Sequence, residues 1–178
     1  MDPSEKYPFN VRSFFTDKET RNIGSGIVLW RGFFQSVRPG IGRMLINVDI
    51  STGMMYRSGP LLNLCLEFLG GPNKPLILSP KHGLTTRIRM QLQRFISGIR
   101  VFTRSGAGGK VRSRTARVVK QLSEYGASQI RFVAKEGGEM SIPDYFRRKH
   151  NLTLLYPDIL CVEVRIVSGC YHLSVSCL

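Results

Sequence analysis

The stretch that most constrains how this chain can fold is Gly70 to Pro80, GGPNKPLILSP, where three prolines and two glycines follow one another closely. Proline fixes a backbone angle and removes a hydrogen-bond donor, and glycine opens conformations that other residues avoid, so no long helix or central strand runs through it. The 178 residues therefore divide here. That length suits one large domain or two small ones, with room for a sizeable core.

Before the boundary, Tyr7, Phe9, Phe14 and Phe15 lie among polar residues without a clear period, so residues 1–20 read as the end of an N-terminal region. From Ile27 to Phe34 both alternations are apolar, which predicts a buried strand. Pro39 and Gly40 mark a turn, and Met44, Ile46, Val48 and Ile50 form the apolar face of a second strand. Pro60 introduces LLNLCLEFLG, a short helix stopped at Gly70-Gly71-Pro72. Residues 21–70 thus read as a β-β-α module. Trp30 is expected in its core, with Arg31 and Arg38 as partners for Asp49.

Beyond the boundary, Thr85 is positioned to cap a helix whose Ile88, Leu92, Phe95 and Ile96 share one stripe, with a stop at Gly98. Ile99 to Arg104 alternates as a strand. Gly106 to Gly109 is a loop tip rather than a phosphate loop, since no Lys-Ser/Thr follows it. Lys110 to Lys120, KVRSRTARVVK, reads as a strand whose basic face carries Arg112, Arg114 and Arg117. Ser123 to Ala127 is expected to turn, and Gln129 to Ala134 to alternate as a strand. Leu152, Leu154 and Tyr156 are expected on one face of another strand, followed by Cys161 to Val164. Short strands around two helical turns predict an α+β fold whose second part is a small open barrel with a helical insertion.

The segment Ser141 to Pro157, SIPDYFRRKHNLTLLYP, holds the densest chemistry. Ser141 suits a helix cap, Pro143 the first turn and Asp144 the positive end of the dipole. Tyr145, Lys149 and, less squarely, Arg148 then share one helical face, with His150 beside them. Hydroxyl and ammonium groups on one wall suit phosphate oxygens. The plain alternative is a surface helix with a solvated charge run and Phe146 in the core.

Charge favours the first of these. The net charge is +14. Residues 71–178 hold 18 Lys/Arg against 6 Asp/Glu, and between Glu67 and Glu124 there is no carboxylate while 12 Lys/Arg occur. That asymmetry points to a polyanionic partner, with nucleic acid ahead of a membrane surface. No apolar run approaches the roughly 18 residues of a membrane span, and MDPSEKYPFN lacks the layout of a signal peptide. A soluble protein of the cytoplasm, with the nucleus as a second compartment, is expected. Cysteines 65, 161, 170 and 177 show neither paired nor zinc-like spacing, so Cys65 and Cys161 are expected to pack as small hydrophobes, with no metal and no cofactor.

Several strings together resemble one family. LWRGFFQSVRP followed by INVDIS is similar to the first linker domain of eukaryotic Argonaute proteins, and LSPKHGLTTRIRMQLQRFISGIRV to the lead-in of their PAZ domain. SIPDYFRRKHNLTLLYPDILCVEV resembles the PAZ segment that holds the 3′ end of a guide RNA, and INVDIST and GASQIRF look like fungal members. The resemblance implies a linker 1 domain at 21–70, a PAZ domain of open-barrel, OB-like form at 71–164, and a tail outside the family pattern at 165–178. It further implies that Tyr145, Lys149 and His150 hold terminal phosphates, that Phe132 packs on the last nucleotide, and that Arg114 and Arg117 follow the backbone. Ala116 stands where the family carries a further tyrosine. After CVEV the sequence RIVSGCYHLSVSCL departs from the family, with Tyr171 and Leu173 the nearest stand-ins for a missing pocket floor.

The expected function is sequence-blind capture of the 3′ end of a small RNA, single-stranded or duplex with a 3′ overhang, alongside the remaining Argonaute domains. No catalysis is expected, because the nuclease domain has no counterpart here. One alternative is a structural fragment without binding, from a truncated or mis-spliced gene. Another is a thiol hydrolase using Cys161, His150 and Asp158, which would need an exposed thiol and an oriented base.

Overall fold

The computed structural model describes residues 7–71, 73–102, 116–133, 138–166 and 174–177. It divides into two compact units, Met1–Pro60 and Leu61–Leu178.

The first unit is one antiparallel sheet in the order β1-β2-β3-β4, comprising β1 (Tyr7–Pro8), β2 (Ser13–Gly24), β3 (Ile27–Gly40) and β4 (Arg43–Tyr56). Phe15 is its one buried large hydrophobe among the described residues. It lies opposite Gly32, and a Cβ on Gly32 or Gly53 would collide with its ring. Phe14 stacks on Phe33 at 5.3 Å on the opposite side of the sheet. The β3–β4 hairpin forms as expected, but its apolar side chains are not the core the alternation suggested. Met44, Ile46, Val48 and Ile50 are exposed, Ile46 at 71% and Ile50 at 90%. β2 pairs with β3 only as far as Phe34, so the hairpin tip that carries Met44, Ile46 and Val48 has no third strand, whereas Ile50, opposite Phe33 in the three-stranded part, is exposed all the same. Trp30 is half-buried against Tyr7, with ring centroids 5.3 Å apart. Arg31 pairs with Glu19 at 2.8 Å rather than with Asp49, whose carboxylate accepts from Asn47 instead.

The second unit is α+β. Its main sheet has the order β10-β9-β6-β5, from β5 (Arg100–Val101), β6 (Arg117–Gly126), β9 (Leu160–Ile166) and β10 (Ser174–Cys177). The hairpin β7 (Arg131–Val133) and β8 (Glu139–Ser141) forms a separate two-stranded sheet leading into helix α3 (Ile142–His150). The sheets are open, not closed into a barrel. Helix α1 (Leu61–Phe68), read from sequence as the end of the first module, buries Cys65 and Leu66 with Leu78 in this unit's core. Helix α2 (Thr86–Ile96) is capped by Thr85, whose hydroxyl accepts from the Ile88 amide. Its expected stripe is its inner face, with Leu92 and Ile96 fully buried. Phe68 stacks on Phe95 at 4.2 Å, joining α1 to α2, while the Gln93 side chain accepts from the Leu122 amide and Arg89 reaches Glu124 at 3.8 Å, joining α2 to β6.

Strand β9 is buried on both faces. Leu160, Val162 and Val164 enter the core formed with α1 and α2, and Cys161 enters a second cluster with Ala127 and Ile142. Two of the expected elements differ. Residues 123–126 continue β6, and the turn begins at Ala127. Leu152, Leu154 and Tyr156 are not in a strand. The Asn151 backbone is left-handed, with φ 51°, and the chain leaves α3 by donating the Leu152 amide to the Phe146 carbonyl.

One brace fixes the approach to β7. Asp158 accepts from Lys81 Nζ and from Ser128 Oγ, both at 2.7 Å, while the Ser128 amide donates to the Pro157 carbonyl. Gly126 passes so close to the Asp158 backbone that a Cβ there would collide with it. The hydrogen bonds from Lys81 and then Ser128 hold the Asp158 carboxyl below its usual range. A carboxylate with a depressed folded pKa adds stability above its unfolded value, and this is lost as pH falls through the folded value. We expect Asp158→Asn to lower stability near neutrality and to flatten the acid limb of thermal melts taken from about pH 7 to about pH 2. An unchanged limb would show that the brace carries no weight.

Candidate nucleic-acid interface

Helix α3 forms where sequence chemistry favours both of its ends. At the start, the Ser141 hydroxyl accepts from the Asp144 amide at 3.3 Å and donates to the Asp144 carboxylate at 2.6 Å. That hydroxyl is the first cause holding the Asp144 carboxyl below its usual range, with Arg148 and Arg147 contributing less. At the end, Arg147, Arg148, Lys149 and His150 occupy the last turn, where cations complement the helix dipole. Asn151 in the left-handed conformation stops the helix, and its amide donates to Phe146.

This geometry gathers side chains around Tyr145. Its ring meets Phe132 edge-on at 5.4 Å, His150 at 5.8 Å and Phe146 at 5.9 Å, and Lys149 Nζ stands 5.4 Å from its centroid. Phe132 reaches it from the separate hairpin, where it lies opposite Met140. Tyr145 and Phe132 are half-buried, while Lys149 and His150 are exposed. The site is therefore an aromatic floor with a cationic rim.

All four residues singled out for an RNA end, Phe132, Tyr145, Lys149 and His150, are thus brought together. Arg148 is exposed one position away and faces the Asp144 charge. Arg117 opens β6, is half-buried and is already engaged by another group. Arg112, Arg114, Tyr171 and Leu173 lie outside the described residues. Sequence reasoning assigned Phe146 to the core alone, but its ring also lies 5.6 Å from His150. The four-residue spacing to His150 was the available signal.

A thiol-hydrolase arrangement is absent from the described residues. Cys161 is 1% exposed, the Asp158 carboxylate is held by Lys81 and Ser128, and the His150 ring stands against Tyr145 and Phe146. Burial pushes the other core thiol, Cys65, up to about 12. No group of three His, Cys, Asp or Glu suited to a metal occurs among the described residues, and no described helix is long and apolar enough to cross a membrane.

Because Ser141 closes the first turn, Ser141→Ala should cost roughly 0.5–2 kcal/mol in urea unfolding. It should also let the Asp144 carboxyl titrate closer to its usual range by NMR. An unmoved Asp144 titration would show that the cap does not set that carboxyl.

Comparison with known proteins follows the same division. A family model for the Argonaute linker 1 domain matches residues 11–57, and one for the PAZ domain matches 76–173. The second match continues past Val164 into the stretch read from sequence as a tail. The Argonaute of Schizosaccharomyces pombe is 32% identical over 92% of this chain, which spans 19% of that relative. The crystal structure of Kluyveromyces polysporus Argonaute with a guide RNA shares the fold at 16% identity with a TM-score of 0.50, over 92% of this chain and 21% of that one. The two matched domains are RNA-binding rather than catalytic. With both domain models matched in order and that identity sustained over nearly its whole length, the chain belongs to the Argonaute family.

Proposed function

We propose that this chain binds small RNA and that the Tyr145 cluster receives the strand's 3′ end. The observation that carries this reading is the convergence of Phe132, Lys149 and His150 on one tyrosine ring, from two separate elements. An exposed ring edge beside cations offers a terminal nucleotide two kinds of contact. Its base stacks on the aromatic surface, for ~1 to 3 kcal/mol whatever the base, and its phosphates meet Lys149, His150 and the Tyr145 hydroxyl. Neither contact reads sequence. That suits a domain handling many different guides. No bond is made or broken: the site grips, and Arg148 extends its charge along the helix.

The structure of the K. polysporus relative with a guide RNA supports an RNA as the ligand class. The charge distribution supports it independently, because 18 Lys/Arg against 6 Asp/Glu fall in residues 71–178.

Titration with short RNA tests the reading. A duplex with a two-nucleotide 3′ overhang should bind more tightly than the same duplex made blunt or blocked at its 3′ end, and Tyr145→Ala should abolish that preference. Lys149→Gln should reduce the log-log salt slope by about 0.7, the share of one phosphate contact on a single strand. Equal affinities for all three duplexes would leave general electrostatics and remove the end-specific claim.

A further inference from the structure

Phe132, Tyr145, Lys149 and His150 all belong to one excursion of the chain. It leaves the main sheet after Gly126, the last residue of β6, and rejoins it at Leu160, the first of β9, with β7, β8 and α3 in between. Its two arms meet at a neck. There the Ala127 amide donates to the Ile159 carbonyl at 3.2 Å and the Ser128 amide to the Pro157 carbonyl at 2.8 Å. Side chains add a further bond, from the Ser128 hydroxyl to Oδ1 of Asp158 at 2.7 Å.

The same Oδ1 accepts from Lys81 Nζ at 2.7 Å, from 77 residues earlier in the chain. Lys81 stands on fixed ground. It follows Leu78 and Ser79, both fully buried, and its own amide donates to the Ser79 hydroxyl. Leu78 in turn packs with Leu66 and Leu92 in the core of this unit. One carboxylate oxygen thus gathers the outgoing arm at Ser128, the returning arm at Asp158 itself and the body of the unit at Lys81. Hydrogen bonds to an ionised acceptor are the stronger kind, and two of them on one atom define its place.

The two arms lead to different parts of the site. Phe132 lies four residues beyond Ser128 on the outgoing arm, with Ile130 between them packed on the cluster of Ala127, Ile142 and Cys161. Tyr145 is tied to the returning arm, because the Leu152 amide donates to the Phe146 carbonyl and Leu154 packs on that same cluster. The spacing of the arms at the neck therefore bears on the edge-on meeting of Phe132 with Tyr145.

We propose that Asp158 is a positioning residue for the RNA end: by holding Ser128 and Lys81 on one oxygen, it fixes the neck and with it the approach of Phe132 to Tyr145. The proposal rests on the reading of the Tyr145 cluster as the RNA-end site. It adds a residue that touches none of the RNA.

The ratio of affinities for the overhang duplex and its blunt counterpart reads this role, measured on the whole chain at a temperature where every variant is folded. Asp158→Ala should lower that ratio by about tenfold, entirely through weaker binding of the overhang duplex. General electrostatics has the opposite sign, since losing a carboxylate should tighten the binding of any RNA. Ser128→Ala leaves the Lys81–Asp158 pair in place and should also lower the ratio, and it decides the matter alone if Asp158→Ala does not fold. The double variant should fall no further than Asp158→Ala, because the two substitutions break one contact. Thr85→Ala, which removes the cap of α2 outside the excursion, should lower the melting temperature and leave the ratio unchanged. A wild-type ratio retained in both Asp158→Ala and Ser128→Ala, or a ratio that falls as far in Thr85→Ala, overturns the positioning role and leaves the Tyr145 site standing. A wild-type ratio of one removes the site and this proposal together.

Discussion

Strand β9 is the constraint on which the second unit rests. Three consecutive residues, Leu160, Cys161 and Val162, are buried although strand geometry sends them to alternate faces. Both faces of the sheet must therefore be covered at this point. Helices α1 and α2 cover one of them through Leu66, Leu92 and Ile96; Ala127 and Ile142 cover the other. Since Ile142 is the first residue of α3, the burial of Cys161 helps seat the helix that carries the candidate site. A polar substitution at Cys161 would be felt at Tyr145 without touching it.

The site itself uses charges that the fold leaves uncommitted. Asp144 is tied up by Ser141, and the helix ends in four basic or titratable residues, none of them in an ion pair among the described residues. Three cations elsewhere in this unit are paired. Lys81 is paired with Asp158, Arg89 with Glu124, and Lys120 lies 3.7 Å from Glu163. Pairs of that kind brace structure. What distinguishes the end of α3 from other cations with no ion pair among the described residues, such as Arg87 and Arg131, is the aromatic cluster beside it.

Much of this was legible because local chemistry and final structure agree. Thr85 and Ser141 cap the helices expected of them, and the Ile88–Leu92–Phe95–Ile96 spacing gives the inner face of α2. Tyr145 and Lys149 were legible as one face from helical periodicity alone. Phe132 was not: it arrives from a different hairpin, and only the family resemblance pointed to it. Two errors share a cause, since alternation reports which residues could share a face and not whether anything covers it. Leu152, Leu154 and Tyr156 alternate without a strand partner, because Asn151 redirects the chain. Met44 to Ile50 alternate within a true strand whose apolar face is open. Pairing partners are set by distant sequence, which periodicity does not record.

The central claim is that the terminal nucleotide lies on the Tyr145 cluster, and a photocrosslink measures that contact directly. An RNA strand carrying 4-thiouridine at its 3′ end, irradiated in complex with the chain and mapped by mass spectrometry, should attach within Phe132 or the peptide Tyr145–His150. The same label moved to the 5′ end should leave those peptides unmodified. Attachment of the 3′ label elsewhere, or equal labelling of the cluster from both ends, would contradict the account.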